Sequence, residues 1–195
     1  GINTTTSTRR KSPVTLTRLE TMAKELSNKR FLTKSRFKIG SECPTKLFYT
    51  KKDEYQDNKG SDDFLAALAE GGFQVGEYAK CLFPGGHDIK DIDYETSLSK
   101  TNELLERDKV IIYEPAFMFG NLFVRVDVLV KDGDNIKLYE VKSKSCVGGG
   151  EDQFFTKNKK EILGGWRPYL EDIAFQHYVV CSAHPEWDVI PHLML

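Results

Sequence analysis

A predicted β-hairpin in the second half of the chain brings two carboxylates and a lysine together. A two-residue turn at Gly133-Asp134 is favoured because glycine adopts positive φ freely and aspartate tolerates it better than most residues. In the register that this turn sets, Asp127 lies directly opposite Glu140. Strand alternation places Lys142, two residues beyond Glu140, on the same face of the sheet.

Two opposed carboxylates destabilise a hairpin unless a cation lies between them. Because directly opposed Cβ atoms lie about 5 Å apart, Asp127 and Glu140 can both reach one hard ion such as Mg²⁺ or Mn²⁺. Lys142 would add a positive charge beside that ion. Such a set can hold a phosphodiester, orient a water and offset the negative charge of a transition state. Metal-dependent phosphodiester hydrolysis is therefore the predicted chemistry.

A second interpretation of the same residues is an ordinary charged strand surface. Glu140 would then form an ion pair with Lys142 or Arg125 in solvent, as residues on charged strand faces often do. The strongly apolar reverse face favours the catalytic interpretation, and we predict that this reverse face is the core. It carries Val124, Val126, Val128 and Val130, with Tyr139 and Val141 across from them.

The elements that must position the hairpin are helices followed by strands. Apolar residues at helical spacing predict the helices, with Thr33 as an N-cap, an interruption near Pro44 and a stop at Pro84-Gly85-Gly86. The predicted helices cover residues 14–28, the segment after Thr33, 64–83, 95–107 and 168–181. A break is predicted at Gly71-Gly72 within the third of them, and residues 51–62 are predicted to form a loop. Runs rich in β-branched and aromatic residues predict the strands VIIYEPAFMF, LFVRVDVLV, IKLYEVKSK and WDVIPHLML. This order predicts an α/β domain around a mixed sheet.

Composition bounds the remaining possibilities. Of the 195 residues 39% are hydrophobic and 29% charged, which is typical of a globular protein. We expect a disordered basic tail over residues 1–12 and one domain over residues 13–195, and these residues could be part of a longer chain. The net charge is +10 over residues 1–52 and −11 over the remainder. A basic arm on an acidic body suits a protein that gathers phosphates with one part and binds divalent cations with another.

The cellular setting is predicted from segments that are missing and from the cysteines. No apolar run approaches the length of a membrane span, and the start of the chain lacks a secretory signal, so we expect a cytoplasmic protein without membrane contact. The four cysteines are far apart and form no CxxC pair. Isolated reduced thiols are therefore expected in place of a zinc site or a disulfide framework.

Several segments, in the right order, resemble the PD-(D/E)xK nuclease superfamily and within it the RecB-like exonuclease modules. LTKSRFKIGSECPTKLFY is similar to their N-terminal helix, and VGEYAKCLFP to the helix that follows. The acidic, Asp and ExK motifs are matched by Glu114 in VIIYEP, Asp127 in VRVDVLV, and Glu140 with Lys142 in YEVKSK, and Gln176 follows in DIAFQHYVV. The resemblance covers roughly residues 30–195. It implies a restriction-endonuclease-like core with additional N-terminal helices.

The resemblance also implies a function and roles for the hairpin residues. The chain would hydrolyse phosphodiester bonds of DNA, on single strands or at ends, with Mg²⁺ or Mn²⁺ as cofactor. Asp127 and Glu140 would be metal ligands, and the Val141 carbonyl a further one. Lys142 would position or activate the attacking water and stabilise the scissile phosphate.

Two more residues have implied roles, each with a structural alternative. Glu114 would bind a second metal or support the first, but it is also suited to be a strand-end residue before Pro115. Gln176 would contact the phosphate or the water. Its alternative is the polar face of a helix, where Asp172 lies one turn away.

Two departures from the family pattern bear on cofactors and activity. Many RecB-like nucleases carry a histidine ligand one turn beyond the glycine that Gly76 matches, and this chain has Lys80 or a neighbouring residue there and no histidine. Some relatives, including the CRISPR adaptation nuclease, hold an iron–sulfur cluster, but only Cys181 follows Gln176, so we expect no iron–sulfur cluster here. The missing histidine leaves open a catalytically inactive nuclease-fold module that binds nucleic acid or acts as an assembly partner. Cleavage of RNA is a third possibility.

Overall fold

The computed structural model describes residues 30–50, 52, 54–55, 63–91, 93–146, 154–158 and 160–195, with the backbone alone over 63–71. The described helices are α1 (Lys34–Glu42), α2 (Pro44–Tyr49), α3 (Asp63–Cys81), α4 (Tyr94–Leu105) and α5 (Arg167–Ala183). The described strands are β1 (Leu32–Thr33), β2 (His87–Asp88), β3 (Lys109–Tyr113), β4 (Ala116–Phe119), β5 (Leu122–Arg125), β6 (Val128–Asp132), β7 (Asn135–Val141) and β8 (Asp188–Met194).

These strands form two mixed sheets that share one long, bent hairpin. Strands β3 and β4 are consecutive parts of its first arm, β5 and β6 of its second, and the antiparallel pairing keeps one register across the bend. The larger sheet has the order β2-β3-β6-β7-β8 and the smaller one β1-β5-β4. The outer strands β1, β2 and β8 each pair in parallel. Because α4 and α5 pack against these strands, the predicted α/β architecture with a mixed sheet flanked by helices is confirmed.

The bend in the long hairpin divides both predicted strands in two. Glu114 has a φ of 56°, a left-handed conformation that is uncommon outside glycine, and Pro115 has no N–H to donate to the ladder. The arms nevertheless stay joined across the bend. Glu114 N–H donates to the Asp127 carbonyl at 3.2 Å, and Val126 N–H to the Pro115 carbonyl at 3.0 Å. Asp127 therefore lies at the division between the two sheets.

The hairpin of β6 and β7 has the register that its turn predicted. Asp132 pairs with Asn135 and Val128 with Tyr139, so Asp127 is the next residue opposite Glu140. Gly133 adopts a φ of 60°, as expected for this turn.

The predicted core face of this hairpin was right for three of the four valines and wrong for β7. Ile136, Leu138 and Glu140 share one face of β7 and are fully buried, whereas Tyr139 and Val141 on the other face are half-buried. The buried face packs into the main core with α5, which contributes the apolar residues Ile173, Phe175, Val179 and Val180. Of the four valines, Val124, Val126 and Val128 are buried as predicted and Val130 is half-buried. Glu140 therefore lies under a helix and not on an open sheet surface.

Helix α1 begins at its predicted N-cap. The Thr33 hydroxyl accepts a hydrogen bond from Arg36 N–H at 3.4 Å, and the helix ends before Pro44 starts α2. The Phe37 ring stacks on the Phe175 ring of α5 at 4.4 Å. This contact, together with the pairing of β1 with β5, fixes the first turn of α1 against the rest of the fold.

The other helices follow the prediction with one exception. Helices α4 and α5 lie within about two residues of the predicted bounds, a normal uncertainty for helix ends. The break predicted at Gly71-Gly72 was wrong, because α3 runs through both glycines and ends at Cys81. A glycine inside a helix costs only about 1 kcal/mol, which neighbouring helix-forming residues can offset.

Some expectations lie outside the described residues, namely the basic tail over 1–12, the helix over 14–28 and most of the loop over 51–62. Cys43, Cys81 and Cys181 carry free thiols. None of the helices in the described part of the chain combines the length and apolar character that crossing a bilayer requires.

The loop after α3 is attached to the sheet by Tyr113, which supports one wall of the site described below. Tyr113 of β3 is buried, its hydroxyl donates to the Phe83 carbonyl, and it accepts from Gly86 N–H at 3.2 Å. A Cβ on Gly86 would overlap the Tyr113 ring. We expect Gly86→Ala to lower the free energy of unfolding by about 1–3 kcal/mol, because a buried ring has little room to move.

Urea denaturation would measure this loss, with Gly76→Ala as the matched control. A Cβ at Gly76 in α3 meets nothing within 4 Å, so that variant should be as stable as the wild type or more stable. Equal stability of Gly86→Ala and wild type would contradict the proposed packing of Tyr113.

Candidate functional site

Asp127 and Glu140 approach each other at the division between the two sheets. Glu140 is fully buried, while the Asp127 side chain remains 23% exposed. The Val141 N–H donates to Asp127 Oδ2 at 2.6 Å, which fixes the orientation of that carboxylate. Val141 therefore enters the site through its N–H. The carbonyl role implied for Val141 stays a prediction.

The cation between the two carboxylates is the ammonium of Lys34, a residue that sequence reasoning missed. Its Nζ donates to both Glu140 oxygens, at 3.1 and 3.0 Å, and lies 3.7 Å from Asp127 Oδ1. Lys34 is the first residue of α1, directly after β1, which pairs with β5 and so ends near the sheet division. The only local signal was a lysine at the positive end of a helix dipole without an acidic neighbour in that turn. A partner 106 residues away has no short-range pattern.

Lys142 binds Glu140 and a carboxylate of α5. Its ammonium forms ion pairs with Glu140 and with Asp172 Oδ2, the latter at 3.1 Å. Its backbone N–H donates to the Met194 carbonyl at 2.9 Å, which ties this residue to β8. The surface interpretation therefore named a correct partner for Glu140, but the pair lies under α5 and not in solvent.

Gln176 of α5 connects the helix to the acidic pair. It is fully buried, and its Nε2 donates to Glu140 Oε2 at 2.6 Å and to the Asp172 carbonyl at 3.3 Å. Two acceptors on this nitrogen define the orientation of the amide. Gln176 Oε1 and Asp172 Oδ1 are buried acceptors without a hydrogen-bond partner within the described ranges. Since buried acceptors are usually satisfied, two unpaired ones in one site mark a place where a water can donate.

Burial and ion pairing shift the pKa values of the charged side chains in the site. Burial raises the pKa of Asp127 above its ordinary value, with Lys34 opposing the shift and Glu140 adding to it. Burial acts in the same direction on Glu140, but Lys34 and Lys142 outweigh it and hold the pKa of that carboxyl below its ordinary value. Burial alone would lower the pKa of Lys34, yet Asp127 and Glu140 raise it well above the usual range. Glu140 and Lys34 are therefore both ionised at neutral pH.

Glu114 lies at the edge of the site. Its Oε2 is 3.8 Å from Arg125 Nε, and the two terminal nitrogens of Arg125 donate to the Asp91 and Ile89 carbonyls at 2.7 Å each. Burial and the negative charge of Asp127 raise the pKa of Glu114. The structure therefore places Glu114 in the field of Asp127 but gives it Arg125 as its partner.

A cleft of about 680 Å³ opens beside these residues. One wall consists of Asp127, Val141 and Lys142, and the facing wall is formed by one side of α3. Lys80 of α3 lies in this cleft at the position where the resemblance would place a histidine. Its ammonium binds Glu77 at 2.7 Å and Asp88 at 2.9 Å. This lysine is therefore held by its own acidic partners.

The residues fit a divalent cation in charge and in donor type. Asp127 and Glu140 already converge on one positive charge. Mg²⁺ is commonly held by one or two carboxylates, while waters and substrate phosphates complete its shell. The unpaired Asp172 Oδ1 and Gln176 Oε1 are suited to accept from such waters. No group of three or more His, Cys, Asp or Glu side chains suited to a metal is found among the described residues, so the fit rests on these two carboxylates.

Four of the six predicted site residues form one cluster, namely Asp127, Glu140, Lys142 and Gln176. Val141 contacts this cluster through its backbone N–H, and Glu114 lies at its edge. Sequence reasoning missed Lys34 as a member and did not assign Asp172 to the site. Comparison with known proteins adds no relative, because no protein-family model, no curated protein and no solved structure matches the chain.

Proposed function

We propose that this chain is a Mg²⁺- or Mn²⁺-dependent deoxyribonuclease of the RecB-like PD-(D/E)xK type, built on a restriction-endonuclease-like core. The observation that carries the proposal is the convergence of Asp127, Glu140, Lys142 and Gln176 beside an open cleft. Withdrawing such charges from water costs free energy that ion pairs recover only in part. Charged groups with shifted pKa values that line a cleft therefore favour a functional role.

Each side chain has a separate task in this proposal. Asp127 and Glu140 would hold the cation, which supplies Lewis acidity at the phosphate and lowers the pKa of a water. Lys142, kept charged by Glu140 and Asp172, lines the cleft and would offset the charge that develops on the phosphate. Gln176 orients Glu140 through its amide N–H and offers Oε1 as an acceptor for a water.

An exposed aromatic ring in the cleft supports a nucleic-acid substrate. Phe73 of α3 lines the cleft and is 69% exposed. The space around this ring is open on the side of Gly72 and of Gly76, because a Cβ on either glycine would meet nothing within 4 Å. Aromatic rings in such positions stack on unpaired bases without sequence preference. This favours single-stranded segments as the substrate.

Replacing Phe73 with alanine should weaken binding to a single-stranded oligonucleotide by about 1–3 kcal/mol, the usual contribution of one stacked base. Fluorescence anisotropy with Ca²⁺ in place of Mg²⁺ would measure the affinity. Tyr78→Ala is the matched control, because Tyr78 is 73% exposed on the same helix but does not line the cleft. Equal affinities for the Phe73→Ala variant and the wild type would exclude this ring from the binding surface.

The proposed activity is tested by incubating the wild-type protein with single-stranded, nicked and linear duplex DNA, with RNA alongside, in the presence of Mg²⁺ or Mn²⁺. The expected result is metal-dependent cleavage of DNA that EDTA stops. A protein that leaves every DNA substrate intact under these conditions would contradict the proposal. Cleavage of RNA alone would keep the chemistry and change the substrate.

A second candidate function is a catalytically inactive nuclease-fold module that binds nucleic acid or acts as an assembly partner. The observation that favours it is Lys34, which supplies a positive charge to Asp127 and Glu140 without a metal. Such a module would bind DNA in a salt-dependent way, and its affinity would be unchanged by EDTA and by Asp127→Asn.

A further inference from the structure

We infer that Lys34 is an internal counter-ion that a divalent cation must displace, so that the site exchanges between a closed state and a cation-binding state. In the closed state the ammonium binds Asp127 and Glu140, and in the other state these carboxylates are free to hold the cation. The inference concerns regulation of the proposed site and therefore rests on the proposed function.

The position of the ammonium carries the first step. Lys34 Nζ lies 3.1 and 3.0 Å from the two Glu140 oxygens and 3.7 Å from Asp127 Oδ1. It therefore uses the oxygens of both side chains that would bind a cation. Lys142 also contacts Glu140, but Lys34 is the ammonium that lies beside both carboxylates, in the position from which one cation would bind the two together. Occupation by Lys34 and occupation by a metal ion thus exclude each other.

The charge of the cluster favours the exchange. Asp127, Glu140 and Asp172 face Lys34 and Lys142, which gives three negative and two positive charges when all five groups are ionised. In that fully ionised state the closed cluster carries a net charge of −1. Replacing the single charge of Lys34 with a divalent cation brings the net charge to zero. With the ammonium of Lys34 in place, one negative charge of the cluster is not balanced, and a divalent cation in its position would balance it.

The two lysines differ in how they are held. Lys34 has ion-pair contacts only with Asp127 and Glu140 among the described residues, and 27% of its side chain is exposed. Its flexible stem can carry the ammonium into solvent while α1 stays in place, since the Phe37 stacking and the Thr33 cap do not involve this side chain. Lys142 would keep Asp172 as a partner after a cation binds Glu140. Lys34 is therefore the group that leaves.

The experiment compares Mn²⁺ binding by titration calorimetry in the metal-free wild type, in Lys34→Met and in Lys38→Met. Lys38 is an exposed residue of α1, one turn beyond Lys34, and serves as the control for charge on the same helix. We expect Lys34→Met to bind Mn²⁺ at least about ten-fold more tightly than the wild type, which corresponds to an open fraction of one tenth or less in the wild type. Lys38→Met should bind like the wild type.

A second measurement observes the lysine ammonium groups of the wild type directly and uses variants only to assign their signals. Ammonium groups held in buried ion pairs exchange their protons slowly and give resolved ¹⁵N signals in NMR spectra of the lysine side chains. Lys34 and Lys142 should each give such a signal without metal, assigned with Lys34→Arg and Lys142→Arg. Saturating Mg²⁺ should remove the Lys34 signal and keep that of Lys142. A Lys34 signal unchanged in saturating Mg²⁺ would overturn the inference.

The outcomes separate this inference from the proposed function. Equal or weaker Mn²⁺ binding by Lys34→Met overturns the inference and leaves a metal-dependent nuclease intact. Binding by the wild type that Lys34→Met strengthens at least about ten-fold, without cleavage of any substrate, supports the inference and rejects the proposed activity. Tight binding by Lys34→Met with no binding by the wild type overturns the exchange, because Lys34 would then be a permanent substitute for the metal. No binding by either protein overturns both.

Discussion

Asp127→Asn should reduce Mn²⁺-dependent DNA cleavage by at least about 10²–10³-fold in kcat, the loss seen when one electrostatic group of a catalytic site is removed. Asparagine keeps a side-chain oxygen that can accept from Val141 N–H, so the local backbone contact survives. It loses the negative charge that faces the cation position. Because the Asp127 side chain is 23% exposed, the substitution should change the fold little. The expected defect is therefore in chemistry and not in folding.

The matched control for this variant is Asp132→Asn. Asp132 lies on the same hairpin, but its side chain is 63% exposed, pairs with Lys109 at 3.0 Å and lies at the turn, away from the cleft. Both variants should unfold at the temperature of the wild type, and only Asp127→Asn should lose cleavage in a single-turnover assay. Full activity in Asp127→Asn would show that any nuclease activity of the chain arises elsewhere.

Lys142→Met should give a comparable loss of cleavage, but with metal binding retained. Lys142 is not a ligand in the proposal, and Glu140 would keep Lys34 or a cation as its partner. Comparing Asp127→Asn with Lys142→Met therefore distinguishes a residue that binds the metal from a residue that stabilises the phosphate. A Lys142→Met protein with wild-type kcat would contradict the proposed role of its ammonium.

The part of the site that lies within one hairpin could be predicted from the sequence. Turn chemistry at Gly133-Asp134 fixed the register, and the register placed Asp127 opposite Glu140. Periodicity also located most helices, because apolar spacing and capping residues are local signals. These predictions needed no knowledge of what packs against the hairpin.

The part that failed depends on contacts between distant segments. Apolar content alone suggested that the valine face was the core, but α5 covers the Glu140 face and buries that carboxylate. Lys34 reaches Glu140 from 106 residues away, and Asp172 reaches Lys142 from a helix that follows the hairpin. Alternation within a strand says which side chains share a face. It does not say which element will cover that face or which charges that element will bring.

The burial of Glu140 leads to the prediction with the largest effect on stability. In Glu140→Ala the ammonium groups of Lys34 and Lys142 lose their closest partner, and a cavity is left beside Gln176. Removing one member of a buried ion pair costs about 3–5 kcal/mol. We expect the lower end, about 3 kcal/mol, because Asp127 and Asp172 retain part of the compensation. Urea denaturation in EDTA would measure the change in the free energy of unfolding.

A double-mutant cycle with Lys34→Met identifies the cause of this loss. If the penalty arises from a buried ammonium without its carboxylate, Lys34→Met should cost less in the Glu140→Ala background than in the wild type, with a coupling of at least about 1 kcal/mol. The exposed Glu103→Ala on α4 should stay within about 0.5 kcal/mol of the wild type. Additive losses in the cycle would mean that Glu140 stabilises the fold by filling space and not by charge. Its contact with Lys34 would then have no energetic part in holding the site closed.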